Sequence, residues 1–148
     1  MNTSIKLSPW KVKGFALLPK KIIITFGTFD LFHIGHLNIL KRCKKYGNKL
    51  IVGVSTDKLN FEKKNKLPIS DQKARKEIIE SLKIVDEVFF EESLEKKKEY
   101  ISKYKADILI MGDDHKGKFD FCKDICEVIY LPRTPSISTT SIIEKIST

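Results

Sequence analysis

Two histidines three residues apart, His33 and His36, are the first side chains in the sequence whose type and spacing indicate chemistry. They follow a short apolar run that ends at Gly27, and Gly35 lies between them. On the first turn of a helix this spacing places both imidazoles on one face, beside backbone N–H groups without helical partners. Such a site binds phosphate, and its donors stabilise charge that develops on a reacting phosphate. Metal binding and packing are the alternatives, and Asp30 is the one further metal ligand close in sequence.

A second polar segment, 133–140, follows another apolar run near the C-terminal end. Its sequence is Arg-Thr-Pro-Ser-Ile-Ser-Thr-Thr. Arg133 offers a planar, permanently charged group that binds phosphate oxygens in pairs, and the hydroxyls after it can bind further oxygens at a helix N-terminus. A helix cap would account for Ser138 alone, but not for the guanidinium and the hydroxyls together. We therefore expect a second phosphate-binding segment here.

Lysine dominates the charge of the chain. The 148 residues carry 28 basic and 19 acidic side chains, a formal net charge of +9, and three of the basic residues are arginine. This excess indicates anionic partners such as nucleotides, phosphates, nucleic acid or a membrane surface, although a solvated lysine-rich surface explains most individual lysines. Proteins that recognise bases rely on arginine and aromatic platforms, which makes nucleic acid a poor match.

The length and composition fit one globular domain in a reducing compartment. No apolar run is long enough to cross a bilayer, and the first 20 residues contain no compact secretory signal. Three cysteines are too few for a disulfide framework and supply no second pair for a zinc site. We expect a cytoplasmic protein.

Strands and helices alternate along residues 21–148, while residues 1–20 form a separate N-terminal extension. Five buried strands are predicted at 22–26, 50–54, 88–90, 108–111 and 128–131. Helices are predicted at 36–46, from a Ser70 cap with Ile78 inward, after Ser93, and at 138–146, with a lysine-rich loop at 57–69. This pattern predicts an α/β fold, a Rossmann-like doubly wound parallel sheet of about five strands with helices on both faces. Such sheets bind ligands at the carboxyl ends of their strands.

The two polar segments resemble the signature motifs of the cytidylyltransferases, within the nucleotidylyltransferase superfamily. Gly-Thr-Phe-Asp-Leu-Phe-His-Ile-Gly-His at 27–36 is similar to the first motif, and 133–140 is similar to the element Arg-Thr-x-Gly-Ile-Ser-Thr-Thr. Ser136 stands where the family usually has glycine, a change that bears on the turn because serine disfavours positive φ. The resemblance runs from Lys21 to the C-terminal end, above all to short bacterial glycerol-3-phosphate cytidylyltransferases. Class I aminoacyl-tRNA synthetases share the His-x-Gly-His element but need a much longer chain.

This resemblance implies transfer of a cytidylyl group from CTP to an alcohol phosphate, sn-glycerol 3-phosphate, giving CDP-glycerol and pyrophosphate. It implies Mg²⁺ held mainly by the CTP phosphates, a homodimer with residues 83–88 near the interface, and no membrane-binding tail. Two alternatives stay open. One is a sister nucleotidylyltransferase that uses ATP or another acceptor, such as phosphocholine, phosphoethanolamine or a sugar phosphate. The other is a non-enzymatic, basic nucleic-acid-binding module, whose affinity would fall steeply with salt.

The resemblance also implies the roles of individual residues. The catalytic residues are His33, His36, Lys63 and Arg133. The nucleotide-binding residues are Gly27, Thr28, Phe29, Gly35, Lys66, Asp114, Thr134, Ile137, Ser138, Thr139 and Thr140. The acceptor-binding residues are Lys63, Lys97 and Arg75, and Asp30 is a possible magnesium ligand. A one-residue insertion leaves the choice between Lys63 and Lys66 open, and the residues taken alone would indicate a solvated loop. Two tryptophans of the family, at positions near the ligands, are replaced by Leu94 and His115.

Overall fold

The core of the protein is one sheet of five parallel strands. The computed structural model describes residues 20–135 and 137–147. The strands are β1 (Ile22–Gly27), β2 (Lys49–Ser55), β3 (Glu87–Glu91), β4 (Ile108–Gly112) and β5 (Glu127–Leu131). They pair in parallel in the order β3-β2-β1-β4-β5, which places β1 at the centre. The predicted Rossmann-like α/β sheet is confirmed.

Helices cover both faces of this sheet, as the sequence predicts. They are α1 (Ile34–Lys44), α2 (Asp57–Lys64), α3 (Gln72–Glu80), α4 (Lys97–Lys103) and α5 (Thr139–Ser147). Single 3₁₀ turns occur at Leu94–Lys96, Asp113–His115 and Asp120–Cys122. One apolar layer includes Leu40 of α1 and Ile79 of α3, and the other includes Ile101 of α4. Because all five strands run in the same direction, their C-terminal ends lie together at one edge of the sheet. Ligands of such sheets bind at this edge.

The segment 57–69 is not the continuous loop that the sequence predicts. Its first half is helix α2, which begins where the Thr56 hydroxyl accepts the backbone N–H of Leu59 at 3.1 Å. The helix ends at Asn65, whose φ of 58° is left-handed. The prediction was wrong because α2 has almost no apolar face, and two buried side chains, Leu59 and Asn60, hold it against the sheet.

Helix α3 is rotated by one residue relative to the prediction. Its N-cap is Asp71 rather than Ser70, and its buried residues are Arg75 and Ile79. Ile78, predicted to point inward, is 41% exposed. A buried arginine breaks the apolar periodicity from which the inward face was predicted.

Two predictions concern parts of the chain that the structure describes incompletely. The N-terminal extension, residues 1–20, lies outside the described residues apart from Lys20. Within the described part of the chain, no helix combines the length and apolar character that spanning a bilayer requires.

Candidate active site

A cleft of about 730 Å³ opens at the C-terminal ends of β1, β4 and β5. Fifteen predicted site residues line it: Gly27, Thr28, Phe29, Asp30, His33, Gly35, His36, Lys66, Asp114, Arg133, Thr134, Ile137, Ser138, Thr139 and Thr140. The structure thus brings together two segments about a hundred residues apart in sequence. Lys63, Lys97 and Arg75 are not among the lining residues.

The two histidines form the start of helix α1. His33 is the N-cap, and its Nδ1 accepts the backbone N–H of Gly35 at 3.0 Å. The backbone N–H of His33 in turn donates to Nδ1 of His36 at 3.2 Å, and the two rings stack with centroids 3.7 Å apart. Because each Nδ1 is an acceptor, these bonds assign the proton of each neutral ring to Nε2. Both Nε2 atoms are therefore donors for a ligand in the cleft.

Both imidazoles favour the neutral form. Burial, and after it the neighbouring His33, lower the pKa of His36 to about 4, although Asp30 acts in the opposite direction. The pKa of His33 is also lowered, first by burial and then by Arg133. Hence the pair supplies hydrogen-bond donors near neutral pH, and Arg133 supplies the positive charge.

Glycines at two positions let the histidine pair form. A Cβ on Gly35 would lie 2.9 Å from the His33 ring and 3.3 Å from Ile137, so its absence lets both walls of the cleft meet. A Cβ on Gly27 would lie 2.8 Å from the ring of Phe29. Phe29 itself has a positive φ of 56°, and its ring packs edge-on against His36 at 5.5 Å. These close approaches explain why the first motif needs small residues.

Asp30 joins three segments of the chain. Its Oδ2 and Oδ1 accept the backbone N–H groups of Ile69 and Ser70 at 2.7 and 2.8 Å. Its carbonyl accepts the Thr139 hydroxyl at 2.9 Å. The described residues contain no group of three His, Cys, Asp or Glu side chains that could hold a metal ion. The three hydrogen bonds give Asp30 a structural role that the sequence did not indicate.

The opposite wall comes from the segment before α5. Ser138 caps α5 by accepting the backbone N–H of Ser141 at 3.0 Å. The start of this helix lines the same cleft as the start of α1, so two helix N-termini meet there. Arg133 is half-exposed, with Nη1 3.9 Å from Oδ2 of Asp114. Ser136, the departure from the family glycine, lies outside the described residues.

Arg75 does not face the cleft. Its side chain has no exposed surface, and it donates to the carbonyls of Ser70, Thr28 and Ser55 and to Asp57 Oδ1 at 2.7–2.9 Å. A guanidinium occupied in this way has no open side for a phosphate. The prediction that Arg75 binds the acceptor is corrected: Arg75 supports the loops that carry Thr28 and Asp57.

The lysines of the predicted loop separate onto two sides of α2. Lys64 and Lys66 line the cleft. Lys63 is an exposed residue that does not line the cleft, and Glu91 and Lys97 are close enough to influence its charge. Partial burial lowers the pKa of Lys63, and Glu91 opposes that shift. Lys64, which the sequence predicts to be a solvated surface residue, thus lines the cleft together with Lys66.

Lys97 lies behind the cleft in a nearly closed environment. It is 1% exposed, and its Nζ is 2.8 Å from Oε2 of Glu91, which is 2% exposed. The ammonium sits over two aromatic rings, 4.0 Å from the centroid of Phe26 and 4.4 Å from that of Phe119. Phe26 also lines the cleft, so a single ring separates Lys97 from it. We refer to Lys63, Glu91 and Lys97 as the lysine cluster.

The sequence did not single out two polar residues of α1, Arg42 and Asn38, or the buried carboxylate Glu91. Arg42 of α1 lines the cleft and donates to the carbonyl of Pro132 at 2.6 Å, which fixes the chain where it leaves β5. Asn38, one turn earlier, donates to the Thr134 hydroxyl at 3.3 Å. Their positions on the same helix as His36 were the available signal. Glu91 gave no signal, because an acidic residue at the end of a strand is usually exposed.

Comparison with known proteins places this cleft in a family. A family model described as cytidylyltransferase-like matches residues 24–145. The chain belongs to the cytidylyltransferase-like family. The resemblance that the two motifs indicated is thereby confirmed.

Several members of the cytidylyltransferase-like family are similar over most of the chain. "Glycerol-3-phosphate cytidylyltransferase" of Bacillus subtilis is 50% identical over 127 residues, covering 86% of this chain and 98% of the relative. The protein of the same name from Staphylococcus aureus is 44% identical over 126 residues, covering 85% and 95%. The crystal structure of the lipopolysaccharide core biosynthesis protein from Thermoplasma volcanium superposes with a TM-score of 0.69 at 26% identity, covering 78% of this chain and 99% of that one.

Proposed function

We propose that this cytidylyltransferase-like protein transfers the cytidylyl group of CTP to sn-glycerol 3-phosphate, giving CDP-glycerol and pyrophosphate. One observation carries the proposal: a cleft with two helix N-termini and a histidine pair adjoins a second cationic region, the lysine cluster. The first suits a nucleoside triphosphate and the second suits a smaller phosphate. The names of the relatives from Bacillus subtilis and Staphylococcus aureus support the choice of acceptor.

In the proposed complex the triphosphate lies between the starts of α1 and α5. His33 and His36 donate from Nε2 to the α-phosphate, where negative charge builds up in the transition state. Arg133 binds the outer phosphates, with Lys66 and Lys64 on the α2 side. Asp114 contacts the ribose or base from the end of β4. These contacts orient the α-phosphorus toward the lysine cluster. Most of the catalysis comes from this positioning of the reacting groups.

The acceptor phosphate binds beside Lys63, while Lys97, predicted from the sequence to bind the acceptor, is closed off by the Phe26 and Phe119 rings and acts only through its charge. One of its non-bridging oxygens attacks the α-phosphorus in line, and the bond from that phosphorus to the pyrophosphate oxygen breaks. Pyrophosphate leaves with the electron pair, and the acceptor oxygen keeps the new bond. Because a phosphate monoester is already an anion at neutral pH, no general base is needed. Lys63, at the end of α2 between the two phosphates, stabilises the charge shared by both.

Magnesium fits this cleft as an ion that arrives with CTP. Mg²⁺ is usually bound by one or two carboxylates together with substrate phosphates and water. Asp30 is the carboxylate in the wall nearest the histidines, and each of its oxygens keeps a free lone pair beside the backbone bond. When bound, the ion neutralises charge on the phosphates. Asp30 would then hold the loop and contribute one metal ligand.

A homodimer is part of the same proposal. The segment 83–88 leads into β3, which is an edge strand of the described sheet. An unpaired sheet edge is a ready site for a second copy of the chain. Light scattering in solution, with and without CTP, measures the mass directly.

A substrate panel tests the activity. Pyrophosphate release is measured for CTP, ATP, GTP and UTP, each with glycerol 3-phosphate, phosphocholine, phosphoethanolamine and a sugar phosphate. The proposal expects the highest kcat/KM with CTP and glycerol 3-phosphate. A different best pair would assign a sister nucleotidylyltransferase. Pyrophosphate release from no pair, together with salt-sensitive binding of nucleic acid, would favour the binding module instead.

A further inference from the structure

Two side chains of helix α1 bind the chain on either side of Arg133. Nη1 of Arg42 donates to the carbonyl oxygen of Pro132 at 2.6 Å, and Nδ2 of Asn38 donates to the Thr134 hydroxyl oxygen at 3.3 Å. Arg42 and Thr134 both line the cleft. The backbone before Arg133 and the side chain after it are therefore each held by the same helix.

These contacts follow one face of α1 in order. Gly35, Asn38 and Arg42 are three and four residues apart, a spacing that aligns side chains along one side of an α-helix. A third close approach continues the series, because a Cβ on Gly35 would lie 3.3 Å from Cγ2 of Ile137. As the chain advances from Pro132 to Ile137, its contacts move back along α1 from Arg42 to Gly35. The chain after β5 thus lies antiparallel to α1 in a single register.

The guanidinium of Arg133 is held only weakly by its own contacts. Among the described residues its ion-pair partner is Asp114, with Nη1 3.9 Å from Oδ2, and 54% of the Arg133 side chain is exposed. That separation is too long for a hydrogen bond, and an exposed ion pair contributes little to the conformation of its partners. The place of Arg133 in the cleft is therefore set by the backbone that carries it.

Helix α1 also carries the histidine pair at its start. Because an α-helix rises about 1.5 Å per residue, Asn38 and Arg42 lie about 3 and 9 Å along the axis from His36. Arg133 is held between these two levels. The hydrogen-bonded backbone of α1 thus fixes the separation between the imidazole donors and the guanidinium.

We propose that Asn38 and Arg42 are positioning residues for Arg133, which make the cleft selective for a nucleoside triphosphate over the monophosphate. This inference rests on the proposed function, in which the histidine pair binds the α-phosphate and Arg133 binds the outer phosphates. Asn38 and Arg42 act through the register of residues 132–134 on α1 and do not contact the ligand. When either hydrogen bond is lost, Arg133 can leave the outer phosphates, while the α-phosphate still meets the histidine pair.

Calorimetry on the full chain measures the affinity for CTP and, by displacement, for cytidine 5′-monophosphate. Arg42→Ala should weaken CTP binding about tenfold, since it removes a hydrogen bond from a charged group, and Asn38→Ala about threefold, since it removes a neutral one. Affinity for the monophosphate should stay within about twofold in both variants. Arg42→Lys keeps a charged donor and should recover part of the loss. A general disturbance of the fold would instead weaken both nucleotides alike.

A double-mutant cycle with Arg133→Ala separates positioning from direct contact. If Arg42 acts through Arg133, adding Arg42→Ala to the Arg133→Ala variant should change CTP affinity by less than about twofold. A full tenfold loss in that background would mean that Arg42 binds the phosphates itself, and the proposal would be wrong. The control is Lys41→Ala, which removes the same charge from an exposed neighbour on α1. Both affinities should then stay within about twofold of wild type, because an exposed charge is largely screened.

The ratio of CTP affinity to monophosphate affinity decides the proposal. An unchanged ratio in Asn38→Ala or in Arg42→Ala would overturn the role of that residue, and a wild type that binds both nucleotides equally would overturn both roles. If the ratio falls as expected but no acceptor yields pyrophosphate, the positioning stands and the proposed reaction fails. If pyrophosphate is released with glycerol 3-phosphate while the ratio is unchanged, the proposed reaction stands and this inference fails.

Discussion

The backbone N–H of His33 donates to Nδ1 of His36, while Nδ1 of His33 accepts the N–H of Gly35. The same two imidazoles therefore cap helix α1 and present their Nε2 donors to the cleft. In each ring Nδ1 takes part in the helix cap and Nε2 faces the cleft. Replacing either histidine therefore changes the cap and the proposed phosphate site together.

Replacing either histidine by alanine should remove a donor to the reacting phosphate. We expect kcat to fall about a hundredfold or more in His33→Ala and in His36→Ala, the usual loss for one transition-state donor. Steady-state pyrophosphate release measures it, and circular dichroism checks the fold. Lys49→Ala, at the opposite end of β2, is the control and should keep wild-type turnover. A loss of less than tenfold in both histidine variants would argue against phosphate contact.

The lowered pKa of His36 should appear in the stability of the fold. Its pKa is about 4 in the folded protein against an ordinary value of 6.5. Between these pH values His36 is protonated in the unfolded chain and neutral in the folded protein. The free energy of unfolding therefore decreases as pH falls from about 6.5 toward 4. The stabilisation is fully present above pH 6.5. His36→Asn does not titrate and should show a flatter free energy of unfolding across this window.

Urea unfolding at several pH values measures this difference. Other titrating groups are common to wild type and variant, so only the difference between the two curves is interpreted. Parallel curves from pH 7 to 4 would mean that His36 is protonated as easily in the fold as in the unfolded chain.

The lysines of α2 and its C-terminal end should separate kinetically. Lys63→Ala should lower kcat and raise KM for the acceptor, because Lys63 is the exposed ammonium of the lysine cluster. Lys66→Ala should mainly raise KM for CTP. Lys64→Ala should also raise KM for CTP, since Lys64 lines the cleft. Varying CTP and acceptor separately distinguishes these patterns. A loss of kcat in Lys66→Ala with none in Lys63→Ala would reverse the assignment.

The sequence predicted the strands, and it singled out the two polar segments that line one cleft, for a physical reason. Buried parallel strands are continuous apolar runs, and the segments after β1 and β5 concentrate histidines, an arginine and hydroxyls at the ends of strands. Arg75 and Lys97 show where this reasoning stops. Their burial depends on carbonyls, a carboxylate and rings that come from distant parts of the chain. A charged residue looks the same in sequence whether it faces solvent or a buried partner.

The Glu91–Lys97 pair should be costly to break from one side. Glu91→Gln leaves a buried ammonium without its counter-charge, and such changes cost about 3–5 kcal/mol. The double variant Glu91→Leu/Lys97→Met removes both charges and should recover most of that loss. Urea denaturation at pH 7 measures all three proteins. A single variant as stable as wild type would show that the pair is solvated rather than buried.

CTP should stabilise the protein more than other nucleotides at equal concentration. A ligand at a hundred times its Kd adds about 2.7 kcal/mol to the free energy of unfolding. Thermal melting with CTP, ATP, GTP and UTP compares the four, and inorganic triphosphate serves as the control without a base. Equal shifts from all of them would mean that the cleft recognises phosphates alone.

The bonds that Asp30 makes to Ile69, Ser70 and Thr139 also set an order of events during synthesis. Strands β1 to β4 are adjacent in the sheet, so they can pair before the C-terminal segment leaves the ribosome. At ordinary rates of elongation, roughly 5 to 20 s separate Asp30 from Arg133. During that interval the nascent chain has a core but lacks one wall of its cleft. A nucleotide bound as proposed would therefore meet both walls of its cleft only in chains synthesised through α5.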